Sequence, residues 1–260
     1  MRPSFPLADQ ARRPDDHRGS GFAHLVRRGL ISAPLAKSTY YVLYQSGLLE
    51  QVRRNKLSAL ETTELIRFMW FNGWSLYNLR KNCTTIFENC CRFTILMYHW
   101  IDLSLAHCTM AYRMGIFIYE QLSVIDVDAL LLICPDALLW MALVSGPHTK
   151  GTTRVWFKRL LAAARIVLSL QTFYAAVHDH AIKFLWVSTM NPSGLDLWVE
   201  SANLQVPKMR PYQKRSTDFE SDLRNIHHDA AMIGLTPNRT DFASALNLLG
   251  STPLEKELND

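Results

Sequence analysis

Three things are scarce in this 260-residue chain: uncharged runs long enough to cross a bilayer, cysteines in pairs, and the glycine signatures of catalytic loops. A membrane span asks for about 18 or more apolar residues. No uncharged run here exceeds 13, the length of Ala137 to Thr149 and of Ile166 to His178, so no spanning helix is expected. A secretory leader needs a basic start and then an apolar run of about 7 to 15 residues, whereas residues 1–20 read MRPSFPLADQARRPDDHRGS. Asp9, Asp15 and Asp16 are equally unlike an organelle transit peptide, which is poor in acids. The expectation is a chain that starts in the cytosol, with residues 1–21 forming a disordered arm. The sequons at Asn82 and Asn238 then read as chance matches.

The five cysteines, Cys83, Cys90, Cys91, Cys108 and Cys134, are odd in number and fit reduced, buried thiols. None forms the C-x2-C pair of a zinc module. Nine histidines raise a metal hypothesis at His178-Asp179-His180 and His227-His228-Asp229. On a helix, however, residues two apart point about 200° away from each other, and the His-Glu-x-x-His pattern is absent. Gly146 to Thr153 nearly copies a phosphate loop, but Thr152 stands where the lysine should follow Gly151. Gly19-Ser20-Gly21 lacks the third glycine of a dinucleotide fingerprint, and no G-x-S-x-G elbow occurs. No catalytic, cofactor-binding or metal-ligating residue is assigned, no cofactor is expected, and the chain is not read as an enzyme.

What remains is an ordinary globular composition, 48% apolar and 20% charged. A chain of this length buries about 70 to 75% of its unfolded surface and needs no staple. The net charge of +5 permits acidic partners without demanding them.

Between Phe22 and Glu200 the apolar residues recur at helical spacing, which predicts an all-α, multi-helix bundle of antiparallel hairpins. Ser58-Ala59-Leu60-Glu61 is a capping box, and Leu65, Ile66, Met69 and Trp70 follow on one face. Cys91 to Leu122 is long enough for one or two buried helices. Pro135 marks a helix start, Asp136 to Val144 is apolar nearly all round, and Gly146-Pro147 ends it. After a polar loop from His148 to Thr153, Phe157, Leu160, Leu161, Ala164 and Leu168 form the stripe of a second helix, completing a hairpin. The organisation is an arm (1–21), a helical regulatory domain (22–203), and a linker with peripheral helices (204–260). In the last part, Thr217 to Glu220 offers a capping box and Phe219 to Ile233 a narrow stripe suited to docking. Lys208 to Arg215 is the densest basic cluster, read as a solvated face or a nuclear-import patch. Seven tryptophans, Trp70, Trp74, Trp100, Trp140, Trp156, Trp186 and Trp198, are read as packing between helices, with an apolar pocket as the alternative.

Pro135 to Gly146 (PDALLWMALVSG), then Arg154-Val155-Trp156-Phe157 and Leu160, resembles the regulatory region of fungal-specific transcription factors. That family carries an apolar Leu-Trp helix, a glycine-rich turn and an Arg-x-Trp-Phe opening of the next helix. Phe184-Leu185-Trp186 and Leu197-Trp198-Val199-Glu200 look like its later tryptophan-centred pair. Pro147 stands where a second glycine is often seen. The likeness runs roughly from Met97 to Glu200 and implies a nuclear, helical body that regulates transcription by sensing effectors or binding proteins. Its protein partners would be an intact regulator or the transcription machinery, and a small-molecule effector fits the same role. The family's binuclear zinc cluster needs six cysteines that this sequence does not supply, so direct DNA binding is not expected. That leaves a truncated gene model, a degenerate paralogue or an accessory chain. A cytoplasmic, small-molecule-binding protein or enzyme using a Trp-rich interhelical pocket is the alternative, and an interaction scaffold resting on the Phe219 to Ile233 stripe is a third.

Overall fold

A computed structural model describes residues 19–53, 58–79, 83–102, 108–186, 190–202 and 204. Of these, 83% are helical and none is in a strand, which establishes the all-α class. The order is α1 (Ser20–Arg27), α2 (Ala33–Arg53), α3 (Ala59–Asn78), α4 (Ile86–Asp102), α5 (Cys108–Leu122), α6 (Val127–Ile133), α7 (Pro135–Ser145) and α8 (Gly151–Val167). Then come α9 (Phe173–Ala175), continued as a π-turn (Ala176–His180) and a 3-10 turn (Ala181–Lys183), and finally α10 (Asn191–Ser201). Among the described residues no single helix is long and apolar enough to cross a membrane.

The helical body starts earlier than expected. α1 begins at Ser20, inside the stretch assigned to the arm at 1–21, and Gly21 is buried. A Cβ there would sit 2.6 Å from Phe184 Cζ, so only glycine lets α1 lie this close to that ring. Residues 1–18 lie outside the described residues. So do the Lys208 to Arg215 cluster, the Phe219 to Ile233 stripe and His227-His228-Asp229.

Local chemistry sets the helix starts. The expected box at α3 is closed, with the Ser58 amide donating to Glu61 Oε2 at 2.9 Å and the Glu61 amide donating to Ser58 Oγ at 3.3 Å. A second box, Thr85 to Glu88, opens α4. There the Glu88 amide donates to Thr85 Oγ1 at 3.0 Å, while Glu88 Oε2 accepts from the Thr84 amide at 2.9 Å. Glu88 Oε1 also accepts the Ser32 amide at 2.7 Å, just before α2. One buried carboxylate thus satisfies the free donors at two helix starts. Burial alone would raise its pKa, but the hydrogen bonds from Ser32 and Thr84 outweigh it and hold the pKa below the usual value.

The Cys91 to Leu122 stretch resolves into α4 and α5, packed on each other. At the centre is α7, with every residue from Ala137 to Ser145 buried. Pro135 occupies its first turn, and α6 meets the segment 135–148 at 117°. The connection to α8 is shorter than the expected loop. Gly146–His148 is a 3-10 turn, Thr149 and Lys150 follow, and Gly151 already starts α8 with a φ of +56°. Thr149 explains the economy, since its buried hydroxyl donates to Gly146 O at 2.8 Å. Of the expected α8 stripe, Phe157, Leu160, Leu161 and Ala164 are buried, whereas Leu168 follows the last turn as a half-buried cap, and α7 with α8 forms the hairpin. A smaller cluster joins Leu48 and Leu49 of α2 to Leu65 and Met69 of α3.

His99 on α4 ties the two clusters together. Its Nε2–H donates to Met69 O at 3.1 Å, and burial lowers its pKa to about 4. An unfolded chain, titrating near 6.5, takes up this proton first as pH falls. Stability is therefore level above about 6.5 and falls between there and about 4, by on the order of 3 kcal/mol. Melting temperatures measured across that window will show the fall, and His99→Gln will remove most of it. His148, whose pKa is lowered by burial and then by Arg154, accounts for a further part.

Candidate functional site

Trp140 is the largest fully buried side chain. α7 carries it into a nest in which its ring stacks on Phe184 (5.3 Å, 15°) and takes the edge of Phe22 at 5.4 Å. Its Nε1–H donates to Leu185 O at 2.8 Å. A carbonyl at the irregular end of the 173–183 segment thus finds its partner inside the core. The Leu-Trp and Phe-Leu-Trp fragments, 45 residues apart, are in direct contact.

A second junction lies where α10 crosses the α7–α8 turn. Arg154 forks onto Glu200, Nε to Oε2 at 3.0 Å and Nη2 to Oε1 at 2.6 Å. Its Nη1 donates to Pro147 O at 3.1 Å, closing the turn. The hydrogen bond from Arg154 is the main reason Glu200 ionises below the usual carboxylate range. Arg165 stacks over Trp198 at 3.9 Å and donates to Ser201 Oγ at 3.3 Å. Gly146 is required at this crossing, because a Cβ would come within 2.5 Å of Leu197 Cδ2.

Beside the Trp140 nest, a half-open cleft of about 340 Å³ separates α1 from the start of α7 and the 3-10 turn. His24 and Arg27 line it from α1, Asp136 from α7, Lys183 and Phe184 from the segment after the π-turn, and Ile133 from the end of α6. Asp136 Oδ1 pairs with His180 Nδ1, and Lys183 Nζ stands 3.9 Å away. Burial would raise the Asp136 pKa, but the His180 hydrogen bond and the charge of Lys183 outweigh it and hold the carboxyl below its ordinary value. Cys134, at the base, has its thiol pushed up to about 12 by burial. A carboxylate–imidazole pair beside a thiol suggests nucleophilic chemistry, but this thiol stays protonated where a nucleophile must ionise.

Of the histidines singled out in the sequence, His180 points to Asp136 while His178 stacks on Tyr174 at 4.8 Å. Among the described residues no three metal-binding groups converge. Trp186 and Trp198 are buried like Trp140, Trp100 and Trp156 are half-buried, and the cleft wall contains no tryptophan. Asp136, His180, His24 and Lys183 carried no local signal as a group, since the pairing spans 44 residues.

No family model, curated protein or solved structure matches this chain.

Trp140→Ala will cost about 3–5 kcal/mol, read as a fall of about 2–4 °C in melting temperature for each kcal/mol. Trp140→Phe keeps most of the packing and leaves Leu185 O unpaired, so it will cost about 1–3 kcal/mol. Trp156→Ala, at a half-buried ring, will cost less than Trp140→Ala.

Proposed function

We propose that this chain is a non-enzymatic regulatory protein of the kind seen in the helical region of fungal-specific transcription factors. It acts in the nucleus through protein partners, an intact regulator or the transcription machinery, and without a DNA-binding module of its own among these residues. The observation that carries the reading is the coupling of the elements on which the resemblance rests. Trp140 is bonded to Leu185, and Arg154 is forked onto Glu200. Four scattered fragments are thereby one packed unit, as a regulatory body that transmits a signal requires. The polar groups nearby are consistent with this use, since they hold helices together and leave no activated nucleophile at the cleft.

The cleft beside α1 favours a second reading, a helical small-molecule-binding protein, in which the same body serves a ligand outside transcription.

A tagged full-length chain tests the first reading. It should accumulate in nuclei, and when fused to an unrelated DNA-binding domain it should change expression of a reporter severalfold. Trp140→Ala should abolish that change while Trp156→Ala keeps part of it. Exclusion from nuclei under all growth conditions, together with a silent reporter, would refute it.

A further inference from the structure

The cleft between α1 and α7 combines two features that packing alone does not explain. Its charge is unbalanced. Arg27 and Lys183 face one carboxylate, Asp136, whose Oδ1 is already paired with His180, and His24 adds a third basic side chain. The helix starts add to this. Ser20 and Gly21 of α1 and Asp136 and Ala137 of α7 line the same space, and neither helix has a side-chain cap bonded to its first amides. The N-terminal end of α1, which has no acid in its first turn, therefore leaves positive partial charge on the cleft, while Asp136 itself occupies the first turn of α7.

The opposite wall is apolar. Leu25 and Phe184 are buried behind it, and Ile133 stays 41% exposed at its mouth next to Leu132, which is 79% exposed. A cleft of about 340 Å³ lies at the small end of the range for ligand sites, about 300–1,000 Å³. A bare inorganic anion would leave the apolar wall uncovered, and an uncharged apolar molecule would leave Arg27 without a counter-charge, since Asp136 is shared between His180 and Lys183.

We infer that this cleft binds a small organic anion, a carboxylate or phosphate monoester on a short apolar body. The anionic head lies between Arg27 and Lys183, and the body lies against Ile133 and Phe184. Asp136 and His180 position Lys183. The ligand touches Phe184, which stacks on Trp140, so its binding bears directly on the nest that joins α1, α7 and the 184–186 segment. This deepens the effector-sensing side of the proposed function, but it is measured on purified protein. A silent reporter would leave it standing, and absence of binding would leave the nuclear reading standing.

The test uses the full 260-residue chain with n-butyl phosphate as probe, and with n-butanol and inorganic phosphate as partial probes, in calorimetric titrations and melting curves. Butyl phosphate should bind saturably with Kd about 1 mM or tighter. It should raise the melting temperature in a concentration-dependent way, phosphate should bind more weakly, and butanol should not bind. Arg27→Gln and Lys183→Gln should each weaken binding at least about tenfold, equivalent to about 1.4 kcal/mol. Both positions are at the surface or half-exposed, so the unliganded melting temperature should barely move. Arg159→Gln, on the exposed side of α8, should bind like the parent. No saturation by about 10 mM, butanol binding as well as butyl phosphate, or an equal loss in Arg159→Gln would each overturn the assignment.

Discussion

The hydrogen bond from Trp140 Nε1 to Leu185 O is the contact on which this architecture turns. A buried indole N–H without a partner, or a buried carbonyl without one, costs on the order of 1–3 kcal/mol, and here each satisfies the other. The geometry that allows it also fixes the ring against Phe184 and Phe22, so one polar contact orients three aromatic side chains from three parts of the chain. α1 is only eight residues long, too short to be stable alone. It owes its place to Phe22 in this nest and to the absence of a side chain at Gly21. The cleft inherits its shape from the same contact, since Phe184 is both a wall of the cleft and a face of the nest.

Two buried charged side chains do similar work. Glu88 accepts from the amides of Ser32 and Thr84, which lead into α2 and α4. Arg92, 1% exposed, donates to Leu76 O at the end of α3 and to Asn89, with its guanidinium over Phe93 at 4.3 Å. A cation at the C-terminal carbonyls of one helix and a carboxylate at the N-terminal amides of two others follow the helix dipole. Burial pushes the thiols of Cys90, Cys91 and Cys134 upward, which makes them inert.

What could be read in the sequence was local. The helical period of Asp136 to Val144, the proline at the start of α7 and the Ser58 box depend on residues within one or two turns of each other, and the structure has them where the spacing put them. The start of α1 was missed because Gly19 enters it in the left-handed conformation, with φ at 79°, and no capping side chain marks it. The loop after α7 is shorter than its polar run suggests because Thr149 folds its hydroxyl back onto Gly146, a tertiary-like closure hidden in four residues. The Thr85 box is legible in the sequence, but the second role of Glu88 is not, because Ser32 lies 56 residues away. For the cleft, the pairing of Asp136 with His180 depends on a π-turn. Such a turn widens the helix by one residue and redirects the side chains after it, and no periodicity announces it.

That π-turn also bears on how the body could respond to a ligand. A bound molecule shifts a conformational equilibrium only by its difference in affinity between two states, so an element with two accessible packings is needed. α7 is a poor candidate, because it is buried on every side and close-packed interiors deform little. The 173–183 segment changes helix type twice in eleven residues and is fastened to α7 by Asp136 and to the core by the residues that follow it. Its irregular hydrogen bonding makes it the lower-stability partner of the two. An anion seated between Arg27 and Lys183 would act on that segment beside its anchor, since Asp136 lines the same cleft. The rigid helix would then serve as reference and the irregular one as the moving part.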